Sequence, residues 1–139
     1  MPQDCIFCQI VAGRAYAERL CETDRVMAFL DIAPVHYGHA LVIPKAHFET
    51  FLDLPDELWL EMGQVSRRLA LALQKTLYAR GFNLGMNNYE AAGQVVFHAH
   101  LHVIPRYVDD GLQLFPQGLY RGQDMASVAR QLRQTLGNL

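Results

Sequence analysis

The sequence predicts an α+β domain, an antiparallel sheet with helices packed on one side, and three observations carry that expectation. Short apolar runs are bounded by turn residues, one long stretch has apolar residues at helical spacing, and a shorter helical stripe follows near the C-terminal end. With 139 residues, 51% of them hydrophobic, the chain suits one domain over 1–139 that buries roughly two-thirds of its unfolded surface. No repeat, low-complexity tract or linker divides it.

Residues 26–32 and 40–43 read as strands separated by the turn at 34–38, and Pro44 closes the second. Residues 51–57 read as a helix start, with a proline near the first turn and two carboxylates at the positive end of the helix dipole. Leu58, Met62, Val65, Leu69 and Leu73 then recur at helical spacing, with Gly81 as the stop. A flank of this helix carries Trp59, Gly63, Ser66 and Ala70, which reads as either an exposed face or a contact with a second subunit. Residues 82–87 read as a strand, 88–93 as a loop, 98–104 as a strand ending at Pro105 and Arg106, and 108–122 as loop. A C-terminal helix over 124–136 has Met125, Val128, Leu132 and Leu136 on one stripe.

Composition removes several function classes. Twelve basic and fourteen acidic residues give a formal charge of -2 with no basic cluster, which argues against a polynucleotide track. The start lacks a basic segment followed by a long apolar one, and no apolar run reaches the roughly 18 residues of a membrane span. A cytoplasmic location is expected. Three cysteines, two of them as Cys5-x-x-Cys8, fit a metal or redox use better than a secreted disulfide framework. Cys21 reads as an inert core thiol.

The run His98-Ala99-His100-Leu101-His102-Val103 carries the chemistry. Alternation with the period of a strand puts three imidazoles on one face and Ala99, Leu101 and Val103 on the other, with successive imidazoles about 6.6 Å apart along the strand. Three buried imidazoles each need a polar partner, so a purely structural row is a poor explanation. Two uses remain: a catalytic metal site made of three neutral imidazoles, or a nucleophilic imidazole whose neighbours donate hydrogen bonds to developing charge. The Cys5 and Cys8 pair is equally open by itself, because a metal knuckle, a redox pair and two buried thiols share that spacing.

His98-x-His100-x-His102, preceded by Gly93-Gln94 and by Gly38-His39-Ala40-Leu41-Val42-Ile43-Pro44-Lys45-x-His47, resembles the histidine triad family of nucleotidyl hydrolases and transferases. The resemblance runs from Cys5 to Arg106. It implies an antiparallel sheet of about five strands with a long helix and a C-terminal helix, a homodimer, and a nucleotide substrate. It assigns nucleophilic attack on the α-phosphorus to His100 and phosphate contacts to His102 and Gln94. Backbone amides around Gly93 and the side chain of Asn87 join them.

Asp31 takes the family's ribose-binding place, and a carboxylate suits two vicinal hydroxyls because it can accept from both. Ile6, Phe7, Ile10, Phe29 and Ile32 match the walls of the base pocket. Zinc-bearing members supply the ligands Cys5, Cys8, His47 and His98, a closed structural site. His39 is then a supporting hydrogen-bonding residue and His36 an exposed one. Val95 departs from the serine or threonine that many members carry after Gly-Gln.

Overall fold

The structure, a computed structural model, describes residues 2–122 and 124–139. In chain order these form α1 (Ile6–Val11), β1 (Arg19–Glu22), β2 (Val26–Leu30), β3 (Ala40–Pro44), α2 (Asp56–Thr76), β4 (Gly81–Gly85), β5 (Leu101–Arg106) and α3 (Met125–Leu136). The strands make one antiparallel sheet in the order β1-β2-β3-β5-β4, as the sequence predicts for the fold class. No described helix is long and apolar enough to cross a membrane.

The two central strands β2 and β3 are buried on both faces, and their alternation sorts the core into two layers. Val26, Ala28, Ala40, Val42, Leu101 and Val103 meet Leu58, Met62, Val65, Leu69 and Leu73 of α2. Met27, Phe29, Leu41 and Ile43 meet Phe7 and Ile10 of α1 on the opposite face. Helices therefore cover both faces, a correction to the one-sided packing expected, and each apolar side chain that α1 buries contributes about 1.5–3 kcal/mol. The C-terminal helix forms where predicted, capped by the Asp124 side chain, yet buries no described side chain; Met125, Leu132 and Leu136 are exposed.

Several boundaries differ from the sequence reading. Residues 51–53 form a separate single turn, closed by reciprocal hydrogen bonds between Thr50 and Asp53, and α2 starts afterwards with Pro55 as its cap. Gly81 does not stop the helix. The chain leaves α2 through Leu77 and through Tyr78, whose φ of 57° takes the left-handed role usually given to glycine, and Gly81 opens β4. Of the Trp59, Gly63, Ser66 and Ala70 flank, all four line a groove between α2 and β4, with Ser66 and Ala70 buried at its floor, where the Ser66 hydroxyl donates to the Met62 carbonyl at 2.7 Å.

Gly38 holds the turn between β2 and β3 against α2. Its φ is +95°, and a β-carbon there would sit 2.7 Å from the Cδ atoms of both Leu73 and Leu77. Gly38→Ala is expected to destabilise the protein by about 1–3 kcal/mol through backbone strain and overpacking. Urea unfolding measures this, and a loss below about 0.5 kcal/mol would show that the turn relaxes freely.

Candidate functional site

Four residues distant in sequence meet at the edge of the α1 layer. The Cys5 and Cys8 thiols come from the start of α1, His47 from the segment leaving β3, and His98 from the run entering β5. Their ligand atoms all lie within 4.8 Å of one another. The Nδ1 atoms of His47 and His98 are 3.2 Å apart, and sulfur to nitrogen distances are 3.3 Å (Cys8 to His47), 3.5 Å (Cys5 to His98) and 3.6 Å (Cys8 to His98). A tetrahedron built with ordinary zinc bond lengths has nitrogen–nitrogen and nitrogen–sulfur edges of roughly 3.3 and 3.6 Å, so the donor set fits the ion.

His98 is held in the right tautomer for this. Its Nε2 faces the Pro44 carbonyl at 2.7 Å and so carries the proton, which leaves the Nδ1 lone pair for the thiols. Burial pushes the His98 imidazole down to about 4, keeping it neutral, and burial with the neighbouring Cys5 thiol pushes the Cys8 thiol up to about 11. A bound cation would draw that thiol proton off.

The same backbone logic sets the rest of the triad. His100 directs Nδ1 at the carbonyl of His98, 2.7 Å away, so Nδ1 carries the proton and Nε2 presents a lone pair. Burial lowers the His100 pKa, against the His98 carbonyl contact that raises it, and the ring packs edge-on against Phe7 with centroids 5.1 Å apart. His39 accepts the Val35 backbone N–H at Nδ1, 3.0 Å, so its proton is on Nε2. That Nε2–H lies 2.9 Å from Nδ1 of His102, making it the acceptor, and His102 is left with Nε2–H as a donor. Burial, helped by the neighbouring His100 and His39, pushes His102 down to about 4. An imidazole lone pair and an imidazole N–H thus stand side by side, the His100 and His102 rings 5.1 Å apart.

Asp31 extends the chain, with Oδ2 3.5 Å from His39 Nε2 and Oδ1 accepting the Ala33 N–H. Asp31, His39 and His102 also bring possible metal ligands together. The Val35 N–H at His39 Nδ1 decides against that use, because it puts a proton on the nitrogen that would have to ligate.

The sequence-predicted residues divide further. Phe7, Ile10 and Phe29 are buried together, with the Phe7 and Phe29 rings 5.5 Å apart, but Ile6 is half-exposed and Ile32, 93% exposed, stands clear of them. The Gln94 amide is engaged within its own loop: its oxygen accepts the Tyr89 N–H at 2.7 Å, and its nitrogen donates to the carbonyls of Glu49 and Val96. The Gln94 amide thus closes the loop that crosses Gly93, whose φ is +90°. Asn87 is exposed, its Nδ2 close to the Gly93 backbone, while the neighbouring Asn88 is taken up by the Phe51 N–H. Val95 is exposed on the same loop.

His98 and His100 precede the hydrogen-bonded strand, since β5 begins at Leu101 and the Ala99 N–H goes instead to the Phe48 carbonyl at 2.7 Å. The alternation survives because Ala99, Leu101 and Val103 all pack into the α2 layer. Sequence reasoning missed His36, which is not simply exposed: its Nε2 is 3.1 Å from the Asp110 carboxylate.

A family model described as HIT domain matches residues 12–109. Adenylylsulfatase HINT3 of Arabidopsis thaliana is 38% identical over 112 residues, covering 81% of this chain and 57% of that protein. The crystal structure of a HIT family protein from Bacillus anthracis superposes with a TM-score of 0.90 at 35% identity, covering 100% of this chain and 99% of the other. A zinc-bound histidine triad family protein from Mycobacterium smegmatis superposes at 0.76 with 40% identity, covering 97% and 94%. With the family model spanning well over half its length, and the Bacillus anthracis HIT family protein 35% identical with 99% of its own chain covered, this chain belongs to the histidine triad (HIT) family.

Proposed function

We propose that this protein hydrolyses or transfers a nucleoside monophosphate from a phosphoramidate, an anhydride or a dinucleoside polyphosphate, through a nucleotidyl intermediate on His100. The observation that carries the reading is the 2.7 Å contact between His100 Nδ1 and the His98 carbonyl, which leaves Nε2 as the free lone pair beside the His102 N–H. Nε2 attacks the α-phosphorus, an N–P bond forms, and the bond from phosphorus to the leaving group breaks with its electron pair going to that group. His102 Nε2–H donates to a non-bridging oxygen as negative charge grows there. Water or another hydroxyl then attacks phosphorus, loses its proton to solvent, and releases His100. Asp31 serves the ribose hydroxyls, Phe7, Ile10 and Phe29 back the base, and Gln94 acts by holding the Gly93 loop. The adenylylsulfatase name of the Arabidopsis relative supports an adenylyl substrate.

Cys5, Cys8, His47 and His98 would hold zinc, which with four protein ligands has no position for water and supplies rigidity to the start of the catalytic run. The zinc-bound Mycobacterium smegmatis relative supports this choice of metal. A metal-dependent hydrolase built on the three triad imidazoles is the competing reading. It is disfavoured because His98 Nδ1 turns to the thiols and His100 Nδ1 to a carbonyl. Screening purified protein with adenylyl and guanylyl phosphoramidates, sulfates and dinucleoside polyphosphates tests the proposal, and no turnover on any of them would overturn it.

The outer face of α2 and the free edge strand β4 support a second proposal, a homodimer. Leu60, Leu71, Phe82 and Leu84 are exposed around a groove of about 710 Å³ between these elements, and an edge strand offers unpaired backbone groups to a second copy. Leu71→Glu, which adds charge at an exposed position, is expected to shift the protein to monomer. A wild-type monomer in sedimentation at working concentration would end this proposal.

A further inference from the structure

The segment after the triad is tied back to the site by contacts that the reaction scheme does not use. The Asp110 side chain is only 4% exposed and gathers four polar partners. Arg106 donates to it from Nε and Nη2, both at 2.9 Å, Tyr107 donates its backbone N–H at 2.8 Å, and His36 Nε2 lies 3.1 Å away. Arg106 also donates from Nη1 to Asn83 on β4, so Asp110 is anchored to the end of the sheet. The Arg106 guanidinium and the Tyr107 N–H hold the Asp110 carboxyl well below the usual carboxylate range, which keeps it an acceptor.

His36 is the other end of this link. Its ring packs edge-on against Tyr107, centroids 5.8 Å apart, and Tyr107 donates its hydroxyl to the Leu77 carbonyl where α2 ends. The His36 carbonyl accepts the His39 N–H at 3.0 Å. Val35, the adjacent residue, supplies the N–H that fixes the proton of His39 on Nε2. Val35 and Tyr37 of this turn are exposed, while Gly38 is pressed against α2.

We propose that Asp110 and His36 are positioning residues for nucleotidyl transfer: by pinning the turn from outside they keep the Val35 N–H on His39, and so keep His102 with Nε2–H toward the substrate. This rests on the reading of His100 and His102 given above. His39 is faced by Asp31 and His102, and Asp31 at 3.5 Å from Nε2 favours the same tautomer. Losing the turn contact therefore weakens the preference without abolishing it. A hydrogen bond of ordinary net strength corresponds to about a tenfold change in population.

The test uses full-length protein labelled with nitrogen-15, read by long-range imidazole spectra that report which ring nitrogen is protonated, alongside steady-state kinetics. His36→Phe keeps a ring against Tyr107 and removes the donor to Asp110; His36→Gln keeps a donor. Asp110→Asn provides an independent probe of the same contact. Wild-type protein is expected to show His39 protonated on Nε2 alone. His36→Phe and Asp110→Asn are expected to show mixed His39 tautomers and a kcat about tenfold lower, with KM within about twofold, and His36→Gln to restore most of both. Folded His36→Phe and Asp110→Asn proteins with an unchanged His39 spectrum, or with unchanged kcat, would overturn the proposal. A wild-type protein inactive on every nucleotidyl substrate would instead sink the proposed function, and the tautomer spectra would still decide the positioning claim.

Discussion

His100→Ala is expected to lower nucleotidyl turnover by about 10³-fold or more while nucleotide affinity changes little. The loss is large because Nε2 of this ring is the lone pair that the backbone leaves free, and its neighbours are committed elsewhere: His98 to the thiols and to Pro44, His102 to His39 through Nδ1. Affinity is expected to survive because the proposed ribose contact of Asp31 and the proposed Phe7, Ile10 and Phe29 wall hold the nucleotide without a bond to the nucleophile. The substitution also removes a buried ring from against Phe7 and a donor from the His98 carbonyl, so a fall in stability of about 1–3 kcal/mol accompanies it. Turnover must therefore be compared at a temperature where both proteins are folded, with binding measured by calorimetry. A variant that keeps more than about a hundredth of wild-type turnover would show that the nucleophile is another group.

The second large effect is expected at the cysteine pair. Cys8→Ala should remove stoichiometric metal and lower stability by at least about 3 kcal/mol, because the four residues proposed to hold zinc join the start of α1, the segment after β3 and the run into β5. Cys8 and His98 are fully buried, so the variant also strands the remaining donors of a site that would otherwise be filled. Chelation separates a structural from a catalytic ion. A structural ion, once removed, lowers the unfolding midpoint while activity persists at low temperature; a catalytic ion stops turnover at once in folded protein. Metal analysis of protein purified without chelators, and of Cys8→Ala, checks the assignment. Metal-free wild type, or unchanged metal in the variant, would refute it.

Where one face of an element is buried, its pattern was legible. Leu58, Met62, Val65, Leu69 and Leu73 announce α2, and the unbroken apolar runs of β2 and β3 follow from burial on both sides. Helix α1 was missed because six residues, mostly apolar, make fewer than two turns and so show no repeating stripe, and β1 because an edge strand with three exposed residues has no core face to mark it. The end of α2 was misplaced because Tyr78, not a glycine, takes the left-handed position.

At the site, the gathering of Cys5, Cys8, His47 and His98 was legible and the protonation of the imidazoles was not. Which nitrogen of His39, His98 or His100 carries the proton depends on Val35, Pro44 and the His98 carbonyl, partners that a pattern of side chains cannot show. The loop closure that the Gln94 amide makes, with the Tyr89 N–H and the Glu49 carbonyl, was equally illegible. Asp110 gave no signal at all, because its meeting with His36 depends on how the chain turns after β5.

The most direct test of the central claim is intact-protein mass spectrometry of wild-type enzyme quenched into alkaline denaturant during turnover of an adenylyl phosphoramidate or sulfate, conditions under which a phosphorus–nitrogen bond to histidine survives. The expected result is a transient species heavier by one adenylyl group, with the adduct mapped by fragmentation to His100 and absent from His100→Ala. Turnover with no such species at any quench time, or an adduct on a residue other than His100, would contradict the account.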